Sequence, residues 1–327
     1  MNKKYIYGLI LAIVFFVFLF LIQIYLPNSR SSEEYEFFIK KGESVSTIAN
    51  NLKEEGLIRN ESLFKGYAWI TKNSSNLKSG RYILSKNLSL NDIVLMFVNA
   101  KTQGMEITLI EGWDQKDISE YFEKKHICTK KEFLDAMDNF SEDIGILKDK
   151  PKNMDLEGYI FPDTYKLGDD FNLNSIIKKT VLNLDKKINE ELRQEIEKRK
   201  KTIFEIITMA SLIEKEVIAK KDKEIVSGIL WKRLDSDMPL QVDATINYLS
   251  GKDIIYKEDL GIDSLYNTYK YLGLPPGPIC NPGLDSIIAA VYPQKTAYWY
   301  YLSRPDKTTV FSKTLKEHNI ARARYIQ

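Results

Sequence analysis

Histidine and cysteine are almost missing from this 327-residue chain, which holds two of each: His126, His318, Cys128 and Cys280. A zinc centre built mainly from His and Cys ligands has too few donors. The two cysteines lie far apart without the paired spacing of a metal or redox motif, so no disulfide framework supports the fold. A Ser-His-Asp arrangement would have to use one of the two histidines, and no G-x-S-x-G elbow is present. Charge of a single sign is also missing. Lys plus Arg number 47 against 45 Asp plus Glu, for a net of +2, and no basic block is interleaved with aromatics. That balance removes nucleic acid as a partner. There is no internal repeat and no low-complexity tract. Acid–base chemistry therefore falls to carboxylates, with neither metal nor cofactor expected. At 44% hydrophobic residues, the chain is long enough for two or three structural units and a well-buried core.

The one long apolar run is Tyr5 to Leu26, broken only by Gln23. At ~1.5 Å rise per residue it spans a hydrocarbon layer of ~30 Å. A cleavable signal peptide would have a shorter apolar region ending in small residues, whereas this run meets Pro27, Asn28 and Ser29. Lys3 and Lys4 precede the run, and Glu33, Glu34 and Glu36 accompany Arg30 after it. The positive-inside rule then keeps the N-terminus cytoplasmic and puts everything from about Asn28 outside, anchored by a single pass in the cell (inner) membrane. Pro27 to Glu34 reads as a solvated linker.

From Tyr35 the pattern is that of folded α+β structure. FFIKKG reads as a strand, and Val45, Ile48, Ala49 and Leu52 fall at i, i+3, i+4, i+7 of a helix that Ser44 caps and Gly56 ends. Arg81 to Leu84 reads as a second strand, and Ser89 caps a helix carrying Ile93, Val94, Met96 and Phe97. This gives a small βααβ-like unit. FIKKGESVSTIANNL resembles the LysM pattern, a module that grips N-acetylglucosamine-containing glycans. Tyr67 and Trp69 suit either sugar stacking or core packing. The expected domains are 1–34 (stub, membrane helix and linker), 35–104 (LysM-like subdomain) and 105–327 (a mixed α+β domain). In the last, MEITLIEG is a strand, and a charge-rich helix from about Asn174 to Lys201 is expected to show most of its surface to solvent. YWYYLS (Tyr298 to Ser303) is expected to be the final strand.

Thr202 to Lys220 reads as a helix with Ile203, Ile206, Ile207, Ala210, Ile213 and Val217 on one face and the triplet E-K-E near its end. At ~100° per residue, Glu214 and Glu216 point about 200° apart and cannot face the same cleft. Glu214 falls within the apolar stripe, where an ionised carboxylate needs a partner. Glu216 falls beside Met209 and Leu212. Taken alone, such a triplet followed by Lys220 is most often a solvated face with a Glu216–Lys220 pair. Three loops stand out: LEGYIFPDTY, QVDATINY and YNTYKYLGLPPGPICNPG, the last stiffened by Pro275, Pro276, Pro278 and Pro282.

KSGRYIL, LEGYIFPDTY, MASLIEKE, QVDAT and YNTYKYLGLPPGPICNPG, in that order, resemble the MltG (YceG-like) endolytic murein transglycosylases from about residue 35 to the end. The resemblance implies a catalytic domain over 105–327, with Glu216 as catalytic acid and base and Glu214 as a supporting residue. Two positions depart from the family pattern: Thr309 stands where a His is common, and Val242 where Thr or Ser is usual. The implied substrate is peptidoglycan, with membrane-bound peptidoglycan synthases as partners.

The implied reaction cleaves the MurNAc–GlcNAc β-1,4 bond of nascent strands and terminates their elongation. Glu216 protonates the leaving oxygen, then takes the proton of the MurNAc 6-hydroxyl as that group attacks C1, leaving a 1,6-anhydro end. Holding the nucleophile within the substrate gives a high effective molarity, and the acid's pKa should be raised by burial. Glu157, Tyr165, Gln241, Asp243, Asn267, Thr268 and Tyr269 are the candidates for sugar binding. Two rival readings remain. One is a non-catalytic, membrane-anchored glycan-binding scaffold. The other is a glycosidase pairing Glu216 with Glu157 or Asp243, which would leave reducing ends.

Overall fold

The computed structural model describes residues 11, 14, 15, 18, 20–29, 31–40, 42–99, 105–168, 171–252 and 254–325. Much of Tyr5 to Leu26 lies outside these residues. Among the described residues no helix is long and apolar enough to cross a membrane. The chain forms two compact units. One runs through Ile107 and takes in Tyr165–Asn172, and the other joins Thr108–Thr164 to the chain from Leu173 onward. The architecture is mixed α+β, with many short helices and small two-stranded sheets.

In the first unit, β1 (Glu34–Ile39) is followed by α1 (Val45–Glu54), α2 (Glu61–Ile70), β2 (Gly80–Ser85) and α3 (Leu90–Asn99). The strands pair antiparallel from Glu34 opposite Ser85 to Ile39 opposite Gly80. Local chemistry sets the helix starts. Ser44 accepts the Thr47 N–H at 3.1 Å, and Asn60 accepts those of Ser62 and Leu63, which satisfies donors that a helix N-terminus otherwise leaves open. The core gathers Ile39, Leu52, Phe64, Leu84 and Ile93 around Phe97, whose ring lies 4.6 Å from Tyr82 and 5.8 Å from Phe37, centroid to centroid. Tyr67 donates to Asn91 at 2.7 Å, while Trp69, two residues on, is 76% exposed.

Within the segment Pro27 to Glu34, whose described residues are mostly exposed, two residues are tied to the first unit. Asn28 donates to the Gly56 carbonyl at 2.7 Å and receives the Arg59 guanidinium, and the Ser29 N–H donates to the Lys86 carbonyl at 2.8 Å. Their polar groups find partners on the loops of the first unit, which composition alone does not reveal.

The chain passes between the units three times, within β3 (Glu106–Thr108), within β4 (Thr164–Lys166) and between Asn172 and Leu173. The second unit holds α4 (Gln115–Lys124), α5 (Lys130–Asp138), α6 (Leu173–Lys187), α7 (Glu190–Lys198), α8 (Ile203–Glu216), α9 (Lys220–Leu234), α10 (Asp243–Ser250), α11 (Leu284–Val291), β5 (Tyr300–Ser303), β6 (Thr309–Ser312) and α12 (Leu315–Tyr325). The charge-rich stretch expected as one solvated helix is two, α6 and α7. Asn189 accepts the Leu192 N–H at 3.0 Å and starts the second. Both are half buried, because Ile177, Val181, Leu184, Leu192 and Ile196 recur at helical spacing and go inside while the charges fan outward. The last strand is also one further along than expected, since β6 pairs antiparallel with β5.

α8 is the axis of this unit. Thr202 and Glu205 form a reciprocal capping box at its start, and every residue from Ile206 to Ile213 is buried. It ends at Glu216, four residues earlier than the sequence pattern suggests, because Val217 turns to extended backbone (φ −146°, ψ 148°). α9 and α11 pack against it and against each other.

The Pro- and Gly-rich loop before α11 seats itself on α8. The Ile279 N–H donates to the Ser211 hydroxyl at 3.1 Å. Asn281 ties three segments together: its backbone exchanges hydrogen bonds with Gly112 and Trp113, its side-chain carbonyl accepts the Ile160 N–H at 2.8 Å, and its amide donates to Glu157 at 3.1 Å. Gly158 makes this approach possible. It sits at φ +85°, and a Cβ there would lie 2.6 Å from Pro278 and 2.9 Å from Ile207. Gly158→Ala is therefore expected to destabilise the protein by about 2–4 kcal/mol, combining the left-handed backbone with overpacking against a rigid proline. Denaturant unfolding of the two proteins, compared at equal slope, measures this.

Candidate active site

The two glutamates at the end of α8 meet separate sets of partners. Glu214 faces inward. One of its oxygens takes an ion pair from Lys223 of α9 at 2.9 Å, with both side chains less than a tenth exposed. The other accepts the Gly283 N–H at 2.9 Å and the Ser286 hydroxyl at 2.6 Å, both at the start of α11. A carboxylate so buried needs this full set of donors. Glu111 lies alongside, and a Cβ on Gly283 would come within 2.1 Å of its oxygen. Burial and the nearby negative charges of Glu214 and Asp285 hold the Glu111 carboxyl above the usual range, while Lys223 opposes them.

Glu216, half buried, belongs to a different neighbourhood. The Tyr301 hydroxyl of β5 and the backbone N–H of Ala244 at the start of α10 face its carboxyl and favour its ionised form. Ser303, two residues along β5 from Tyr301, donates to the Glu216 backbone carbonyl at 2.9 Å. Burial, reinforced by the negative charge of Asp243, pushes the Glu216 carboxyl up to about 7, while Tyr301, Ala244 and the Arg233 guanidinium pull the other way. A carboxyl poised there is in part protonated and in part ionised near neutral pH, as a group acting as both acid and base requires. Among the described residues no cluster of three or more His, Cys, Asp or Glu is placed to hold a metal.

Arg233, 5% exposed, holds the surroundings of this carboxyl in register. Its guanidinium donates to the Trp299 carbonyl at 3.0 Å and the Leu240 carbonyl at 2.7 Å, and stacks over the Tyr300 ring. One side chain thus fixes the strand that carries Tyr301 and the turn that leads to Asp243. That turn is strained, since Gln241 adopts φ +53°, a left-handed conformation that a non-glycine residue keeps only when its surroundings demand it. The Gln241 N–H donates to the Thr268 carbonyl at 3.1 Å, and its own side chain is exposed.

The seven residues expected to bind sugar separate into two groups. Asp243 and Tyr269 lie beside Glu216, with the Tyr269 hydroxyl donating to Asp243 and sensing the charge of Glu216, and Gln241, two residues before Asp243, keeps its side chain exposed. The other four are turned into the protein. Thr268 receives the Val242 N–H at 2.9 Å, and Asn267 donates to the Leu260 and Ile262 carbonyls. Glu157, 3% exposed, accepts from Gln115 and Asn281. Tyr165 is buried and belongs to the first unit. Sequence reasoning did not single out Tyr301, Arg233, Lys223 or Asn281. Tyr301 stands in an aromatic run whose members look alike, and the two cations read as surface charge.

Thr309 and Val242, the two departures from the family pattern, sit in β6 and just before α10. Val242 is fully buried, so the position carries packing in addition to its backbone bond to Thr268.

The chain belongs to the YceG-like family, whose model matches residues 37–324. Among similar proteins is one named endolytic murein transglycosylase from Bacillus subtilis (strain 168), 37% identical over 303 residues and covering 88% of this chain and 84% of its own length. A protein of the same name from Streptococcus pneumoniae serotype 2 is 29% identical, and this chain spans 59% of that longer protein. The crystal structure of a yceG-like protein from Listeria monocytogenes, 34% identical, aligns over 89% of this chain and 100% of its own, with a TM-score of 0.61.

Removing Lys223 leaves the Glu214 charge buried without its partner, so Lys223→Ala is expected to cost about 3–5 kcal/mol of stability. Replacing both partners with methionine should recover most of that loss. Unfolding of the two variants tests this. A double variant as unstable as Lys223→Ala would show that filling the volume is not enough and that the site needs the ion pair with its Gly283 and Ser286 donors.

Proposed function

We propose that this chain is a peptidoglycan lytic transglycosylase in which Glu216 is the single catalytic acid and base. The observation that carries the reading is the Glu216 carboxyl itself, half buried and brought to about 7 by burial and by Asp243. The names of the relatives support the same reading. The protonated Glu216 gives its proton to the oxygen of the MurNAc–GlcNAc β-1,4 bond as that bond breaks. The carboxylate left behind then takes the proton of the MurNAc 6-hydroxyl as its oxygen bonds to C1, which closes the 1,6-anhydro ring and restores the acid. No water enters the balance. Internal attack supplies rate through proximity. Gln241, Asp243 and Tyr269 are the groups assigned to sugar hydroxyls and acetamido groups. Glu157, Asn267, Thr268 and Tyr165 are assigned to the framework because their polar atoms face the protein.

The same reading includes a single-pass anchor, with Tyr5 to Leu26 in the cytoplasmic membrane, the N-terminus inside and both units outside. It also includes a LysM-like first unit that touches the glycan, with β1, α1, α2 and β2 following the strand-helix-helix-strand order of such modules. Acting on nascent strands beside membrane-bound synthases, the enzyme would end their elongation. A second reading, a two-carboxylate glycosidase, is favoured by one observation: Asp243 is close enough to raise Glu216.

Digestion of purified peptidoglycan by the full-length protein and by its Glu216→Gln variant, with mass spectrometry of the fragments, separates these readings. The expected result is 1,6-anhydro-MurNAc ends from the wild type and a loss of at least about 10³-fold in the variant. Reducing ends would establish the two-carboxylate enzyme, and intact glycan from both would leave a scaffold. The initiating step needs protonated Glu216, so kcat/KM is expected to fall as pH rises through about 7.

A further inference from the structure

A carboxyl that must serve as acid and then as base in one turnover places an unusual demand on its neighbours. A cation bonded to it would lock it as the carboxylate, and an apolar pocket would leave it free to rotate. A hydroxyl does neither. It donates to the ionised form and, with its own lone pairs, accepts from the protonated one. Tyr301 is the side chain that the fold sets against Glu216, and it is held there from both ends. Arg233 fixes the backbone two residues before it through the Trp299 carbonyl at 3.0 Å, and Ser303 fixes the backbone two residues after it by bonding to the Glu216 carbonyl at 2.9 Å. Tyr300, between them, is clamped by the Arg233 guanidinium on one contact and by His318 of α12 on another.

We propose that Tyr301 is the positioning residue of this site: its phenol holds the Glu216 carboxyl in one orientation and exchanges donor and acceptor roles with it as the proton leaves for the glycosidic oxygen and returns from the 6-hydroxyl. Tyr301 keeps its own proton throughout, since burial and the Glu216 charge hold its hydroxyl well above the ordinary range for tyrosine. This inference rests on the transglycosylase reading. The other groups facing Glu216 are Asp243 and the Ala244 N–H from α10, Arg233 from α9, and Tyr269 from the loop before α11. Asp243 is itself held by Tyr269, so the carboxyl lies between the Tyr301 and Tyr269 hydroxyls.

The test uses the full-length protein in three forms: wild type, Tyr301→Phe, and protein with 3-fluorotyrosine incorporated at Tyr301. Phenylalanine keeps the shape and removes the donor, while the fluorinated ring keeps the shape and makes the donor more acidic. In Tyr301→Phe, kcat is expected to fall about tenfold or more with KM within about twofold, and the falling limb of the pH profile should move up by about one unit. The fluorinated protein should move that limb the opposite way. A lost structural contact would lower the rate without shifting the limb in two directions. The 13C carboxyl titration of Glu216, identified by its absence in Glu216→Gln, needs no substrate. Intact glycan from the wild type would sink the transglycosylase reading, whereas a Glu216 titration that is the same in all three proteins would overturn the role of Tyr301.

Discussion

Taking a carboxylate out of water is the constraint around which this protein is built. α8 carries two glutamates, two residues apart, into a unit whose axis is otherwise apolar, and each must be reconciled with that environment. The solutions are opposite. Glu214 gathers a cation and two further donors. Glu216 faces a tyrosine hydroxyl, one N–H and another acid, and its carboxyl is pushed up to about 7. One helix thereby sets an ion pair on one side and a carboxyl raised by burial on the other. Much of the second unit follows from this arrangement: α9 carries Lys223 and Arg233, and α11 begins where the Gly283 N–H and the Ser286 hydroxyl reach Glu214.

The surroundings of Glu216 are held in place by stiff loops. Asn281 saturates its amide and backbone on two other segments, Gly112–Trp113 and Glu157–Ile160. Gly158 lets Pro278 close on α8. Gln241 holds a strained backbone that Arg233 and Thr268 secure on either side. These contacts involve no sugar. They explain why the segments around the carboxyl are rich in proline, glycine and amide side chains although most of their polar atoms face the protein.

What could be read from the sequence was local. Ser44 ahead of an i, i+3, i+4, i+7 pattern gave the first helix its start, and the apolar face of Ile206, Ile207, Ala210 and Ile213 marked α8 as buried. The angle between Glu214 and Glu216 likewise follows from helical geometry alone. What escaped was set by partners distant in the chain. The break between α6 and α7 rests on one side chain, Asn189, in a run of charge that hides it. The end of α8 at Glu216 depends on Ser303 and on α9, not on any breaker in the sequence. Glu157, Asn267 and Thr268 look like sugar ligands because polar residues in rigid loops are ambiguous until their partners are known. Tyr301 was overlooked for the converse reason, as one aromatic among several whose single polar atom matters.

The bond from Ser303 to the Glu216 carbonyl closes a span of 87 residues. A growing chain that has emerged as far as α8, or even as far as Asp243, holds a glutamate bathed in solvent, with the strength of an ordinary carboxylic acid and no bias toward the neutral form. The surroundings of this carboxyl are complete only when the hairpin of β5 and β6 folds back across the unit and brings Tyr301 and Ser303 to it, so the site is assembled late in the chain's synthesis.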